Sequence, residues 1–112
     1  MATRAKKSEA VAFLEKLIGG PLSLRKLIEA IRLGEEMSQP AFAAQLGISR
    51  SSLNDIEKGR KLVSPERAYR YAKLLGHSEH LWMRLAIEDQ LARDGLYYEV
   101  TLEAKPVKRR AA

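Results

Sequence analysis

Apolar residues recur at helical spacing along most of this chain, and most runs have a serine in front and a glycine behind. Leu24, Leu27, Ile28 and Ile31 form an i, i+3, i+4, i+7 stripe behind Ser23, and Gly34 is placed to end it. Ser38 stands before a shorter run with Pro40 in its first turn, Phe42, Ala43 and Leu46 on one side and Gly47 at its end. Ser49 opens the next, with Leu53 and Ile56 inward and Gly59 as its stop. Ser64, Pro65 and Glu66 make a helix start that leads through Ala68, Tyr71, Ala72, Leu74 and Leu75 to Gly76. Ser78 caps a final helix that buries Leu81, Trp82, Leu85, Ala86 and Leu91 and stops at Gly95. The punctuation has a physical basis. A serine oxygen accepts from the unpaired amides of a first turn, and glycine adopts the left-handed conformation that closes a last one.

The two ends differ from this middle. A basic arm with Arg4, Lys6 and Lys7 precedes Ala10, Val11, Phe13, Leu14, Leu17 and Ile18, which recur at helical spacing behind a Ser8 cap. The run ends at "GGP", where two glycines and Pro21 make a hinge. At the other end "LYYEVTLEA" alternates, with Tyr98, Val100 and Leu102 on one side and Tyr97, Glu99, Thr101 and Glu103 on the other, the pattern of a half-buried strand. A lone strand leaves its own backbone unpaired, so it needs a second chain or a partner protein. The expected division is a basic arm and amphipathic helix over 1–21, a helical domain with its final helix over 22–95, a dimerisation strand over 96–104 and a basic tail over 105–112. There is no internal repeat.

Composition narrows the chemistry. The 112 residues suffice for one core plus extensions, and 46% apolar with 30% charged residues is a globular mixture. A net charge of +6 favours a polyanionic partner such as nucleic acid. The absence of cysteine excludes disulfides, thiolate metal sites and cysteine nucleophiles, and suits a reducing cytoplasm. Glu15 and Lys16 interrupt the first apolar run, which is too short and polar for a secretion signal or a membrane span, so a cytoplasmic protein without membrane contact is expected.

The stretch "SQPAFAAQLGISRSSLNDIEKG", residues 38–59, is the most informative. Counted from Gln39, apolar side chains fall at the fourth, eighth, tenth, fifteenth and eighteenth places: Phe42, Leu46, Ile48, Leu53 and Ile56. Ala43 is fifth and Gly47 ninth. Two helices joined steeply by a three- or four-residue turn approach closely, so the fifth side chain must be small and the ninth backbone must tolerate a left-handed conformation. That is the helix-turn-helix pattern. An αα-hairpin that merely packs in a bundle would use similar punctuation. Against it stands the outward face of the second helix, where Arg50, Ser51, Asn54 and Lys58 lie three or four residues apart and can all donate to bases or phosphates. Asp55 lowers the charge there, and it would hold Ser51 or Arg50 in place or accept from a cytosine amino group. Glu57 follows Leu53 by four residues and points partly inward, where an unpaired carboxylate costs several kcal/mol. Arg32 is the cation placed to turn beneath it. A solvated Glu57 at the helix end is the alternative.

Residues 22–76 resemble the Cro/cI-type helix-turn-helix domain, the Xre family, a five-helix DNA-binding fold found in lambdoid phage repressors and many bacterial regulators. The text that carries the resemblance is "IRLGEEMSQPAFAAQLGISRSSLNDIEKGRKLVSPERAYRYAKLLG". It covers about half the chain, without gaps from Arg32 to Gly59. The resemblance implies an all-α, five-helix domain, here with an extra N-terminal helix and one C-terminal β-strand. It implies a buried ion pair between Arg32 and Glu57, a Gln39 that bridges a phosphate and the recognition helix, and base edges read by Arg50, Ser51, Asn54 and Asp55. Phage repressors often carry glutamine at the first two of these places, so Arg50 and Ser51 are departures and no operator sequence carries over. Ser49, Lys58, Arg60 and Lys61, with Gln39, are expected at phosphates, although the loop cations are otherwise a solvated charge run.

One such module reads few base pairs, and the family's remedy is a twofold dimer on a palindrome. The expected protein is therefore a dimeric transcriptional regulator, a repressor, on double-stranded DNA, its C-terminal strand paired across the axis. The alternative is an antitoxin similar to those of the HipB kind, which binds a toxin protein and represses its own operon. An enzyme is not expected. His77, Glu79 and His80 offer two imidazoles and a carboxylate, but no third ligand of metal-site quality is evident, and neither a metal nor a cofactor is expected. Tyr69, Tyr71, Trp82, Tyr97 and Tyr98 are scattered over three elements and read as core and interface aromatics rather than a single-strand stacking platform.

Overall fold

The structure is a computed structural model that describes residues 9–18 and 20–107. Among these residues six helices follow one another: α1 (Glu9–Ile18), α2 (Leu24–Gly34), α3 (Gln39–Leu46), α4 (Arg50–Glu57), α5 (Pro65–Leu75) and α6 (Glu79–Arg93). The basic arm with Arg4, Lys6 and Lys7, the Ser8 cap and the last residues of the basic tail lie outside the described residues.

Local chemistry sets the helix starts. Ser23, Ser38, Ser49, Ser64 and Ser78 each accept from the backbone amide three residues on, at 3.0 to 3.4 Å. The last turns close with paired bonds, as where Ile48 N–H reaches the Ala43 carbonyl and Gly47 N–H that of Ala44. α2 ends at Gly34 as expected, but without the left-handed glycine that closes the later turns. Gly34 is its last helical residue, and the left-handed position falls two residues later at Glu36, φ 55. There Met37 N–H bonds the Arg32 carbonyl and Glu36 N–H that of Leu33, and these bonds offset the strain of a side chain in that conformation.

One core holds α2 to α6 together. Leu24, Leu27, Ile28, Phe42, Ala43, Leu46, Leu53, Ile56, Ala68, Tyr71, Ala72, Trp82, Leu85 and Ala86 are buried, joined by Leu22 and Val63 from the connections. α6 packs chiefly on α5 and also reaches α2. Asp89 of α6 ties the layers by accepting from Leu24 N–H at 3.0 Å, at the start of α2. Leu74 does not join this core and is 63% exposed, because it lies on the outer side of α5.

The two ends depart from the pattern of the sequence. Residues 96–107 carry no regular secondary structure, and no β-strand forms among the described residues, since no neighbouring segment offers a ladder. Val100 and Leu102 are half-buried and Val100 N–H donates to Glu88 Oε2 at 2.9 Å, so this segment lies against α6. Tyr98 does not share their burial and is 66% exposed, like Tyr97 and Leu96. α1 contacts α2, and Glu15 Oε2 accepts from Leu22 N–H at 2.9 Å. Of its apolar stripe, Phe13 is exposed, while the side chains of Ala10, Val11, Leu14, Leu17 and Ile18 lie outside what the structure describes.

Candidate nucleic-acid interface

α4 is short, and its ends decide what it presents. Gly47, at φ 73, turns the chain out of α3, and Ser49 then caps α4 by accepting from Ser52 N–H at 3.0 Å, so its hydroxyl proton remains available to a ligand. Leu53, Ile56 and Glu57 face inward, with Ser51, Asp55 and Lys58 on the opposite side and Arg50 and Asn54 toward one flank; Arg50, Ser51 and Lys58 are exposed, and Asn54 and Asp55 half-buried.

Beneath this face lies a connected polar cluster. Arg32 Nε donates to Glu57 Oε2 at 2.8 Å and a terminal nitrogen to Oε1 at 2.9 Å, a two-pronged pair. The other guanidinium nitrogen donates to the Met37 carbonyl at 3.0 Å. Glu57 is buried and Arg32 nearly so. Its hydrogen bond to the Glu57 carboxylate holds the Arg32 guanidinium above its ordinary pKa, against the opposite pull of burial. Gln39 completes the cluster, its amide donating to Glu57 Oε1 at 3.1 Å and to Asn54 Oδ1 at 3.2 Å. The buried pair and the exposed face are therefore linked through one glutamine, which fixes how the Asn54 amide is turned.

Asp55 serves a different neighbour from those considered in sequence. Its carboxylate accepts from Arg60 Nε at 3.0 Å, and its backbone carbonyl accepts from Arg60 and Lys61 N–H. The loop cations are thus hung from the end of α4, and Lys61 is exposed beside them.

Two contributors carry no signal in the sequence. Arg25 of α2 donates to the Glu57 carbonyl at 3.2 Å, where the end of a helix carries partial negative charge. Its side chain crosses Gly59, and a Cβ there would stand 3.3 Å from it. Asp89 caps α2 from across the core, and burial raises its pKa above the ordinary aspartate value. Both contacts join residues far apart in the chain, which neither periodicity nor a short motif records.

Other candidate chemistry is dispersed. The His77 ring lies against Trp82, with centroids 5.9 Å apart. Among the described residues no three histidine, aspartate or glutamate side chains converge as metal ligands. No helix among them is long and apolar enough to cross a membrane.

A family model described as helix-turn-helix matches residues 28–82, from the second turn of α2 through the first turn of α6. No curated protein and no solved structure matches the chain.

Proposed function

The chain belongs, through residues 28–82, to the Cro/cI-type helix-turn-helix family, the Xre family, whose domains bind DNA in transcriptional regulators, and from that premise we propose a dimeric repressor on a palindromic operator. The observation that carries this reading is the exposed face of α4, held from below by the Gln39–Asn54 bond and the Arg32–Glu57 pair. In the proposed complex α3 crosses the backbone, with Gln39 and Ser49 toward phosphates. Arg50, Ser51 and Asn54 enter the major groove. An arginine fork suits O6 and N7 of guanine and an asparagine amide suits adenine, each worth about 1–3 kcal/mol against the wrong base. Asp55 borders this surface and orients Arg60, which with Lys58 and Lys61 meets phosphates.

Residues 22–95 then act as the reading unit, in the cytoplasm at the nucleoid, and the segment 96–104 supplies the second contact. Its exposed Leu96, Tyr97 and Tyr98 favour a mate, and a second copy would meet it across the twofold axis. Selection of bound duplexes from a random pool tests the proposal, with two half-sites at fixed spacing as the expected result. Indifference to duplex DNA at low ionic strength would overturn it, and a monomeric mass at micromolar concentration would overturn the dimer.

The same exposed segment favours a second reading, an antitoxin that holds a toxin protein there and represses its own operon. Copurification of a small toxin encoded beside this gene decides for it.

A further inference from the structure

A recess of about 310 Å³ opens between the α3–α4 turn, α4 and α5. Lys61, Arg67 and Arg70 line it together with the hydroxyl-bearing Ser49 and Ser52, and no acidic residue lines it among the described residues. Three cations around one concavity repel each other unless an anion is present. The acid that approaches is Glu66, 3.8 Å from Arg70, and both side chains stand largely in solvent, where such a pair neutralises little.

The position of the recess says which anion. Leu53, Ile56 and Glu57 mark the buried side of α4, and at about 100° per residue the other residues fall into place around it. Asn54, bonded to Gln39, stands on one flank, Ser49 and Ser52 on the other, and the exposed Ser51 and Lys58 lie between with the half-buried Asp55. A helix roughly 10–12 Å across fills a major groove about 12 Å wide, so a phosphate backbone passes along both of its flanks. One flank has Gln39. On the other, the cations placed to meet a backbone are those of the recess.

Resting on the reading of α4 as the groove helix, we infer that this recess is a second phosphate seat. Arg67 and Arg70 of α5, with Lys61, hold phosphodiester oxygens of the strand opposite the one met by Gln39. α5 is then part of the DNA footprint as well as the support for α4.

The experiment compares the full chain with the double variant Arg67→Gln/Arg70→Gln on the best duplex from selection, across a range of salt. Loss of two phosphate contacts lowers the slope of log affinity against log salt by about 1.8, and weakens binding on the order of 30-fold near 0.15 M salt. The preference for that duplex over a scrambled one stays within about twofold, because phosphate contacts carry no base information. Arg67→Lys/Arg70→Lys restores most of the slope, which an indirect effect on folding would not produce. An unchanged slope in the glutamine variant, with the parent chain still binding DNA, overturns the seat alone. A parent chain that binds no duplex overturns the seat and the groove reading together.

Discussion

On its inner flank α4 is anchored by the Arg32–Glu57 pair, whose side chains are 13% and 2% exposed, whereas on its outer side the Asp55–Arg60 pair stands at 35% and 59%. Bond lengths barely distinguish them, at 2.8 and 3.0 Å. Solvent does. The inner carboxylate has given up water and is repaid by three side-chain hydrogen bonds, two from Arg32 and one from Gln39, so removing any partner exposes the cost of burying the rest. The outer carboxylate keeps its water, and its pair adds little to stability. One pair fixes where α4 sits, and the other aims the loop cations from it.

The sharpest way to break this contrast is Glu57→Ala, which strands the Arg32 guanidinium. A loss of about 3–5 kcal/mol is expected, read as a fall of more than about 10 °C in Tm. Replacing both partners, as Arg32→Met/Glu57→Leu, should recover much of that loss, because two apolar groups need no pairing. If the single variant costs no more than an exposed pair does, the inner flank is not an anchor.

Gly59→Ala ranks next, at roughly 2 kcal/mol, because the left-handed backbone at φ 78 opposes any Cβ and Arg25 crowds it at 3.3 Å. Adding Arg25→Ala should relieve the crowding but not the backbone strain. A double-mutant cycle in denaturant separates the two, and strict additivity would deny that Arg25 and Gly59 interact.

The helices from Ser23 onward were legible because their signals are local: a serine oxygen three residues from the amide it caps, a stripe at helical spacing, a glycine at the turn. Glu36 shows the limit of that logic, since the left-handed position fell on a glutamate whose neighbours supply the closing bonds. Leu22 and Val63 are buried in connections where no periodicity marks them. Alternation at 96–104 showed which side is apolar, and Val100 and Leu102 do turn inward, but alternation does not say what bonds the backbone, which here is Glu88. At the candidate site, the fixed spacing of two helices about a turn brings Gln39 near Asn54 and Glu57. Arg25 and Asp89 act across 32 and 65 residues, and Asp55 had several cations within reach, a choice that only geometry makes.

Asp89 lies between the two extremes, half-buried but with one backbone partner. Asp89→Ala removes the acceptor for Leu24 N–H and should cost about 1 kcal/mol. Its pH dependence has a definite sign. Burial raises the pKa in the folded state, so the folded chain holds this proton more tightly than the unfolded chain does. The contribution of this group to stability is therefore greatest below the ordinary value of 3.8 and declines as pH rises through the raised value, then stays level. Asp89→Asn keeps an acceptor and removes the titration, so its stability profile should lack that decline. A variant profile parallel to the parent's would place the titration elsewhere.

The smallest effect on folding belongs to the outer pair, and it is the most informative about α4. Asp55→Ala should change stability by less than about 0.5 kcal/mol, since the backbone bonds from Arg60 and Lys61 to the Asp55 carbonyl survive the substitution. On DNA, with Arg60 at a phosphate as proposed, the same change should have two opposed consequences. It removes a negative charge from the face of α4, which raises affinity for any duplex, and it frees Arg60 to wander, which lowers the part of affinity that depends on its placement. The two separate by salt. At low ionic strength the charge gain dominates and Asp55→Ala should bind scrambled duplex more tightly than the parent, while near physiological salt the advantage shrinks and the Arg60 loss emerges. Arg60→Gln then acts as the control, because with Arg60 gone Asp55→Ala retains the gain and loses nothing further. A binding assay in which Asp55→Ala behaves alike with and without Arg60 would mean that the outer pair, though formed at 3.0 Å, aims nothing.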